Sequence, residues 1–193
     1  DPSGEFNIWE ITMPSFAQVN FLGLDVDQSA TLEELPLDLK PVYVAIGNSI
    51  TQGMGQTNLS THLTYPWLVA DSLNYQLYNW GIGGSKINES IFDNFEESEI
   101  TPDVVSVLWG YNDINCTFNT CNTDEYVINN SLVYYANLTN NLANTFPSAK
   151  IVSILPTYSN TTDQSAIRSL EYLRSAQTSI VETLQNSHSN ISF

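Results

Sequence analysis

Short apolar runs alternate with longer, helix-like segments from Lys40 to the end of the sequence. The run PVYVAIG at residues 41–47 is continuously apolar, which is typical of a strand buried on both faces. The final letters, NISF, indicate the opening of a fifth strand. Strands and helices that alternate with short links predict a parallel, doubly wound sheet with right-handed crossovers. The other predicted strands are 75–81, 102–110 and 150–156, and the predicted helices are 65–74, 87–98, 124–147 and 163–187.

Residues 1–38 have a different pattern. FNIWEITM and QVNFLGLDV show strand-like alternation and are separated by the breakers Pro14 and Ser15. Such a piece is too short to form a β domain of its own. We therefore expect residues 1–38 to be a β-rich N-terminal extension, or the remnant of a preceding β domain. Residues 39–193 are expected to form the α/β domain, incomplete at its C-terminus.

The charge is strongly unbalanced, with 5 Lys+Arg against 21 Asp+Glu and a net charge of −16. Binding to nucleic acid or to anionic membranes requires clustered Lys and Arg that displace counterions. No apolar run reaches the roughly 18–20 residues of a membrane span. We therefore expect neither nucleic acid nor membrane as a partner.

Two features predict an extracellular, secreted glycoprotein. Cys116 and Cys121 are close enough in sequence for a local disulfide, which forms in oxidising compartments; two free thiols remain the alternative. Too few Cys and His residues lie nearby for zinc, and we expect no metal. Seven Asn-x-Ser/Thr sequons are candidate glycosylation sites. They begin at Asn58, Asn88, Asn115, Asn129, Asn137, Asn160 and Asn190.

Ligands of open α/β sheets bind outside the carboxyl ends of the strands, so the residues that follow each strand matter most. GNSITQG follows the first predicted strand, NWGIGG ends the second, and GYND ends the third. Glycine permits positive φ and lets backbone N–H groups approach a bound oxygen closely. Ser49, Gly84 and Asn112 could thus supply a nucleophile and oxyanion donors. Taken singly, Ser49 could instead be a helix cap and GYND an ordinary turn.

The order of GNSIT, NWGIGG and GYND resembles blocks I, II and III of the SGNH hydrolases, also called GDSL-type esterases. The resemblance covers about residues 41–193. It implies a three-layer α/β/α, flavodoxin-like fold and no cofactor. It also implies that Ser49 is the nucleophile, that Ser49 and Gly84 donate backbone N–H groups, and that the Asn112 amide completes the oxyanion hole. Residues 1–38 are similar to the lead-in of members that carry an N-terminal jelly roll.

Two departures from the family pattern stand out. Asn48 replaces the Asp of the usual Gly-Asp-Ser, and it retains a turn-forming side chain. The family's general base is the histidine of a D-x-x-H block after the fifth strand, and this sequence contains no D-x-x-H. The histidines present are His62, expected to line the cleft, and His188, expected at a solvated helix end. Asp113 could orient Asn112 or could simply form a turn.

These observations lead to two hypotheses. The first is a secreted SGNH-type serine esterase domain that hydrolyses acyl or acetyl esters, with polysaccharide esters as the expected substrates. The second is a catalytically inactive SGNH-like domain that serves as a structural or glycan-binding module of a glycosylated extracellular assembly. An incomplete fifth strand would also leave an edge for another chain or domain to complete the sheet.

Overall fold

The computed structural model describes residues 11–15, 19–33, 40–55, 60–114, 125–157 and 164–193. Five parallel strands in this part of the chain form a single sheet with the order β2-β1-β3-β4-β5. The strands are β1 (Val42–Gly47), β2 (Gln76–Gly81), β3 (Val104–Leu108), β4 (Lys150–Ile154) and β5 (Ile191–Ser192). The helices are α1 (Ser49–Gln52), α2 (Tyr65–Leu73), α3 (Ser90–Glu96), α4 (Glu125–Thr145) and α5 (Gln164–Gln185), with a 3₁₀ turn at Thr61–Leu63.

The strand order confirms the predicted flavodoxin-like, doubly wound topology. β1 lies between β2 and β3, and its residue Val44 is in register with Tyr78 on one side and Val105 on the other. β5 contributes only two paired residues beside β4, opposite Ile151 and Val152. The ends of β1, β2 and β3 therefore form one carboxyl edge, on which the three candidate blocks lie.

The two faces of the sheet are covered by different helices, which gives the predicted three layers. Successive strand residues point to opposite faces. Val44 and Ile46 therefore pack with Phe95 of α3 and with the buried residues of α4 and α5. Tyr43 and Ala45 pack with Ala70 of α2 on the other face. β1 is buried on both sides, in agreement with its continuous apolar sequence.

Helix α2 begins and ends with recognisable signals. The Thr64 side chain accepts a hydrogen bond from the backbone N–H of Trp67, which caps the N-terminus, and Pro66 lies in the first turn where it costs no hydrogen bond. Asn74 ends the helix in the left-handed conformation, with φ of 57°. The prediction that Pro66 lies at a helix start is confirmed.

The strand predicted at QVNFLGLDV is wrong for the residues described there. Residues 19–33 form no strand, and Phe21, Leu22 and Leu24 are exposed. A strand needs a neighbouring edge to pair its backbone groups, and no sheet strand of the described chain pairs with this segment. Residues 11–15 instead lie against the 3₁₀ turn, where Thr61 Oγ1 donates to the Met13 carbonyl. The division into an extension and an α/β domain stays a prediction, as does the Cys116–Cys121 disulfide, which lies outside the described residues.

A substitution of Gly47 tests how tightly the chain packs at the end of β1. A Cβ at this position would lie 2.1 Å from Thr51 Oγ1 and 2.8 Å from the Leu108 carbonyl oxygen, and the second atom is backbone. We expect Gly47→Ala to lower the free energy of unfolding by about 1–3 kcal/mol, because the overlap forces α1 away from β3. Urea denaturation measures this. Ser175→Ala, on the exposed surface of α5, is the control and should stay within about 0.5 kcal/mol. Equal midpoints for both variants would contradict the packing argument.

Candidate active site

Ser49 is the first residue of α1 and follows β1 after one intervening residue. That residue, Asn48, is 2% exposed and caps the helix, since its Oδ1 accepts the N–H of Ile50 at 2.9 Å. The expectation that Asn48 preserves the turn is confirmed. Helix α1 closes after one turn at Gly53, whose φ is 119° and whose N–H donates to the Ser49 carbonyl. The half-buried Ser49 is thereby presented on a short, rigid turn.

This turn lies directly against the strand ends. A Cβ on Gly81 would lie only 2.2 Å from the backbone nitrogen of Gln52, so β2 and α1 touch through backbone atoms. The Asn79 side chain donates to the Thr51 carbonyl at 2.9 Å. Thr51 is fully buried and its Oγ1 hydrogen bonds with the Tyr65 hydroxyl at 3.0 Å. Residues from β2 and α2 thus fix the turn that carries Ser49.

The loop after β2 forms a tight turn around Gly84. The N–H of Ser85 donates to the carbonyl of Ile82 at 3.2 Å, and Gly84 has φ of 73°. Positive φ at the third residue alone corresponds to a type II turn. Gly83 donates its N–H to Gln52 Oε1 at 2.6 Å, which ties the turn to α1. Gly84 itself is exposed at the carboxyl edge.

Asn112 and Asp113 follow β3 and contact the same loop. Asn112 Nδ2 donates to the Ser85 carbonyl at 2.9 Å. Asp113 Oδ1 accepts the N–H of Ile87 at 2.9 Å and the hydroxyl of Ser131 at 3.2 Å. The structure therefore places Ser49, Gly84 and Asn112 on three adjacent segments that are hydrogen-bonded to one another. Their identities as nucleophile and oxyanion donors stay predictions from the resemblance.

Asp113 is a buried carboxylate with 1% of its surface exposed, and within the described residues its Oδ2 has no hydrogen-bond partner. Burial raises its pKa, and this outweighs the hydrogen bonds from Ile87 and Ser131 and the attraction of Lys86, which act in the opposite direction. Through these hydrogen bonds Asp113 links the Asn112 turn to the loop that follows Gly84 and to α4. Its expected role as an orienter of Asn112 stays a prediction.

The side chains of both histidines hydrogen bond with residues other than Ser49. His62 is exposed, stacks on Trp67 with 4.5 Å between ring centroids, and pairs through Nε2 with Thr12 Oγ1 at 3.0 Å. His188 precedes β5 and therefore lies at the amino edge of the sheet, opposite Ser49, where its Nε2 pairs with Asn140 Oδ1 at 3.0 Å. His188 follows the end of α5, as expected, but it is half-buried and not solvated.

Two further observations concern the described residues only. They contain no group of three or more His, Cys, Asp and Glu side chains that could hold a metal ion. None of their helices is both long enough and apolar enough to cross a bilayer.

Most of the sequence matches a family model. The match covers residues 45–189, and the model is that of the GDSL-like lipase/acylhydrolase family. The chain belongs to this family. The resemblance inferred from the three blocks is therefore confirmed. No curated protein matches the sequence significantly.

Several solved structures share the fold. A G-D-S-L family lipolytic protein from Desulfitobacterium hafniense DCB-2 superposes with a TM-score of 0.57 at 15% identity, over 76% of this chain and 74% of that one. An acetylxylan esterase from Geobacillus stearothermophilus gives 0.55 at 20% identity, over 74% and 72%. A family two carbohydrate esterase from Clostridium thermocellum, solved with cellohexaose, gives 0.63 at 20% identity, over 83% and 55%. The protein described here therefore spans about half the length of the Clostridium esterase.

Gln52 belongs to the site although the sequence pattern does not identify it. Gln52 belongs to the same GNSITQG block as Ser49. Nothing in that block shows that the Gln52 side chain reaches Gly83, which lies 31 residues away. A long polar side chain at the end of a one-turn helix, at the carboxyl edge of the sheet, was the only available signal.

The pH dependence of stability tests the burial of Asp113. Because its pKa is raised in the folded protein, the folded state holds the proton more tightly than the unfolded chain. The contribution of Asp113 to the free energy of unfolding is therefore fully present at low pH. It is lost as pH rises from about 4, the unfolded value, through the raised folded-state pKa.

Asp113→Asn keeps an oxygen acceptor for Ile87 and does not titrate. We expect the free energy of unfolding of the variant, minus that of the wild type, to increase as pH rises from below about 4 through the raised folded-state pKa of Asp113. Urea titrations at several pH values measure the difference. Asp93→Asn, on the exposed face of α3, is the control. A difference that is flat or decreases with pH would contradict the assignment.

Proposed function

We propose that this GDSL-family chain is a serine esterase domain that hydrolyses acyl or acetyl esters. The observation that carries the proposal is the arrangement at the carboxyl edge. Ser49 lies at the start of α1, and the loops bearing Gly84 and Asn112 are hydrogen-bonded together beside it. Family membership over residues 45–189 supports the same class of chemistry.

The proposed reaction is acyl transfer to Ser49 followed by hydrolysis. The Ser49 hydroxyl attacks the ester carbonyl carbon, and the negative charge that develops on the carbonyl oxygen is stabilised by N–H donors. These are the backbone N–H groups of Ser49 and Gly84 and the side chain of Asn112. One Nδ2 hydrogen of Asn112 donates to the Ser85 carbonyl, which fixes the plane of the amide. The second Nδ2 hydrogen is left to donate to the oxyanion. The alcohol leaves with a proton, and water then releases the acid and regenerates Ser49.

Attack by Ser49 also requires a base that accepts the hydroxyl proton. The family assigns this role to the D-x-x-H histidine, a motif that these 193 residues do not contain. A small diffusible base can substitute in a test, because the nucleophile and the oxyanion donors do not depend on the identity of the proton acceptor.

We propose acetylated polysaccharides as the substrate class. The structural neighbours include proteins named as an acetylxylan esterase and a carbohydrate esterase, which supports neutral sugar esters. The net charge of −16 disfavours anionic lipid esters, because like charges repel at the surface. Neutral acetylated oligosaccharides meet no such repulsion.

The test is hydrolysis of acetylated xylo-oligosaccharides and of p-nitrophenyl acetate, with and without added imidazole. We expect imidazole to increase turnover by the wild type well above that by Ser49→Ala, since imidazole supplies the base that activates Ser49. General-base assistance typically contributes about 10²–10⁴-fold. Ser175→Ala, which also removes one serine hydroxyl but lies on the exposed surface of α5, is the matched control and should stay active. Equal rates for wild type and Ser49→Ala under all conditions would reject Ser49 as nucleophile.

The second hypothesis, a structural or glycan-binding module, is supported by the hydrogen bonds of His62 and His188, which pair with Thr12 and Asn140 and not with Ser49. It predicts binding of xylo-oligosaccharides without turnover, even with imidazole present. It also allows another chain or domain to extend the sheet at β5. The hydrolysis experiment separates the two functions, because only the esterase depends on the Ser49 hydroxyl.

We also propose that the protein is extracellular and glycosylated. Asn88, Asn129 and Asn137 are exposed sequon asparagines, whereas Asn190 is half-buried. The side-chain nitrogen of Asn190 donates to the carbonyls of Phe146 and Ala149, at 3.3 and 3.0 Å. A glycan attached to this nitrogen would break at least one of these bonds.

We therefore expect glycans at the three exposed sites and none at Asn190 when the chain is secreted from a eukaryotic host. Enzymatic deglycosylation in heavy-oxygen water, followed by peptide mapping, measures occupancy at each site. The exposed asparagines are the internal control for the folded Asn190. A glycan on Asn190 in the folded protein would contradict the prediction, and unmodified Asn88, Asn129 and Asn137 would argue against glycosylation altogether.

A further inference from the structure

The turn that carries Gly84 has no side chain to hold it in place. Gly83 and Gly84 are both exposed, and a Cβ on Gly84 would meet no atom within 4 Å. Glycine also leaves the backbone more conformations than other residues do. Packing therefore does not fix the position of the Gly84 N–H.

Hydrogen bonds hold the turn instead. Ser85 closes it internally, because both its N–H and its hydroxyl donate to the Ile82 carbonyl, at 3.2 and 2.7 Å. The Ser85 carbonyl is held from the β3 side by Asn112. On the α1 side, the Gly83 N–H donates to Gln52 Oε1 at 2.6 Å. The two residues that flank Gly84 are thus held from opposite sides.

Gln52 is itself firmly placed. Its backbone N–H donates to the Asn48 carbonyl at 3.0 Å. The backbone of Gln52 also lies so close to Gly81 that no side chain would fit between the two residues. The preceding carbonyl, of Thr51, accepts the Asn79 side chain. Gln52 therefore extends from the same turn that begins with Ser49, and a single rigid element carries both the nucleophile and the support of the Gly84 loop.

We propose that Gln52 is a positioning residue that holds the Gly84 loop, and with it the Gly84 N–H, beside the Ser49 turn by accepting the Gly83 N–H. The proposal rests on the proposed function, in which Gly84 donates to the oxyanion. It couples the nucleophile turn to the oxyanion hole through a single side-chain acceptor. Since the oxyanion exists only in the transition state, loss of this support lowers kcat and leaves KM nearly unchanged.

The test compares Gln52→Met with Gln52→Glu. Met has a similar length and no strong acceptor, whereas Glu keeps an oxygen that can accept from Gly83. Gln185→Met removes a side-chain hydrogen bond at the other end of the sheet and is the matched control. Amide hydrogen exchange and ¹H–¹⁵N spectra of Gly83 and Gly84 measure the turn directly and need no activity.

In Gln52→Met we expect Gly83 exchange to accelerate about tenfold, as loss of one hydrogen bond implies, and the Gly84 cross-peak to shift. In the imidazole-supported assay kcat should fall about tenfold or more, with KM within about twofold of the wild-type value. Gln52→Glu should retain Gly83 protection, and Gln185→Met should leave both glycine amides and kcat unchanged.

The outcomes separate this proposal from the proposed function. Wild-type protein that hydrolyses no ester, with Gly83 protection still dependent on Gln52, rejects the esterase and keeps the positioning role of Gln52 in the turn. Unchanged Gly83 and Gly84 amides in Gln52→Met overturn the positioning role. So does an unchanged kcat in an active enzyme, or equal loss of Gly83 protection in the Glu and Met variants.

Discussion

The close approach of the one-turn helix α1 to the ends of β1 and β2 is the constraint on which the site depends. It exists because Gly47 and Gly81 have no side chains. The space that a Cβ on Gly47 would need is occupied by Thr51, and the space beside Gly81 is occupied by the backbone of Gln52. Close contact leaves no room for water between the helix and the sheet. The direction in which α1 presents Ser49 is therefore set by backbone packing, with little freedom left to the side chains.

Buried polar groups extend this rigidity into both layers. On the α2 face, Thr51 pairs with Tyr65, and Tyr43 pairs with Ser106 at 2.7 Å. Burial raises the pKa of both phenols, which therefore remain protonated and able to donate. Near the Asn112 turn, Asp113 holds the Gly84 loop at the cost of a desolvated carboxylate. Such groups contribute little net stability but permit few alternative arrangements, which suits a site whose donors must point at one atom.

Much of the fold follows from local pattern. Each predicted strand from residue 41 onward is present, and α2 begins at the Thr64–Pro66 signal, because apolar periodicity and caps act over a few residues. The strand predicted at QVNFLGLDV fails for a physical reason. Alternation describes a chain that could line one face of a sheet, but pairing requires an available edge, and residues 19–33 have none in the described chain.

The sequence by itself determined the order of the three blocks and, through the strand pattern, their placement on one edge of a parallel sheet. It also placed glycine at the ends of β1 and β2, where another backbone can approach closely. Only the tertiary structure decided which side chains cross between blocks. Gln52 reaches Gly83 over a separation of 31 residues, and Asp113 reaches Ile87 over 26. These contacts depend on the crossovers that bring β1, β2 and β3 together. Geometry at that distance comes from packing, whereas periodicity and capping specify only the elements being packed.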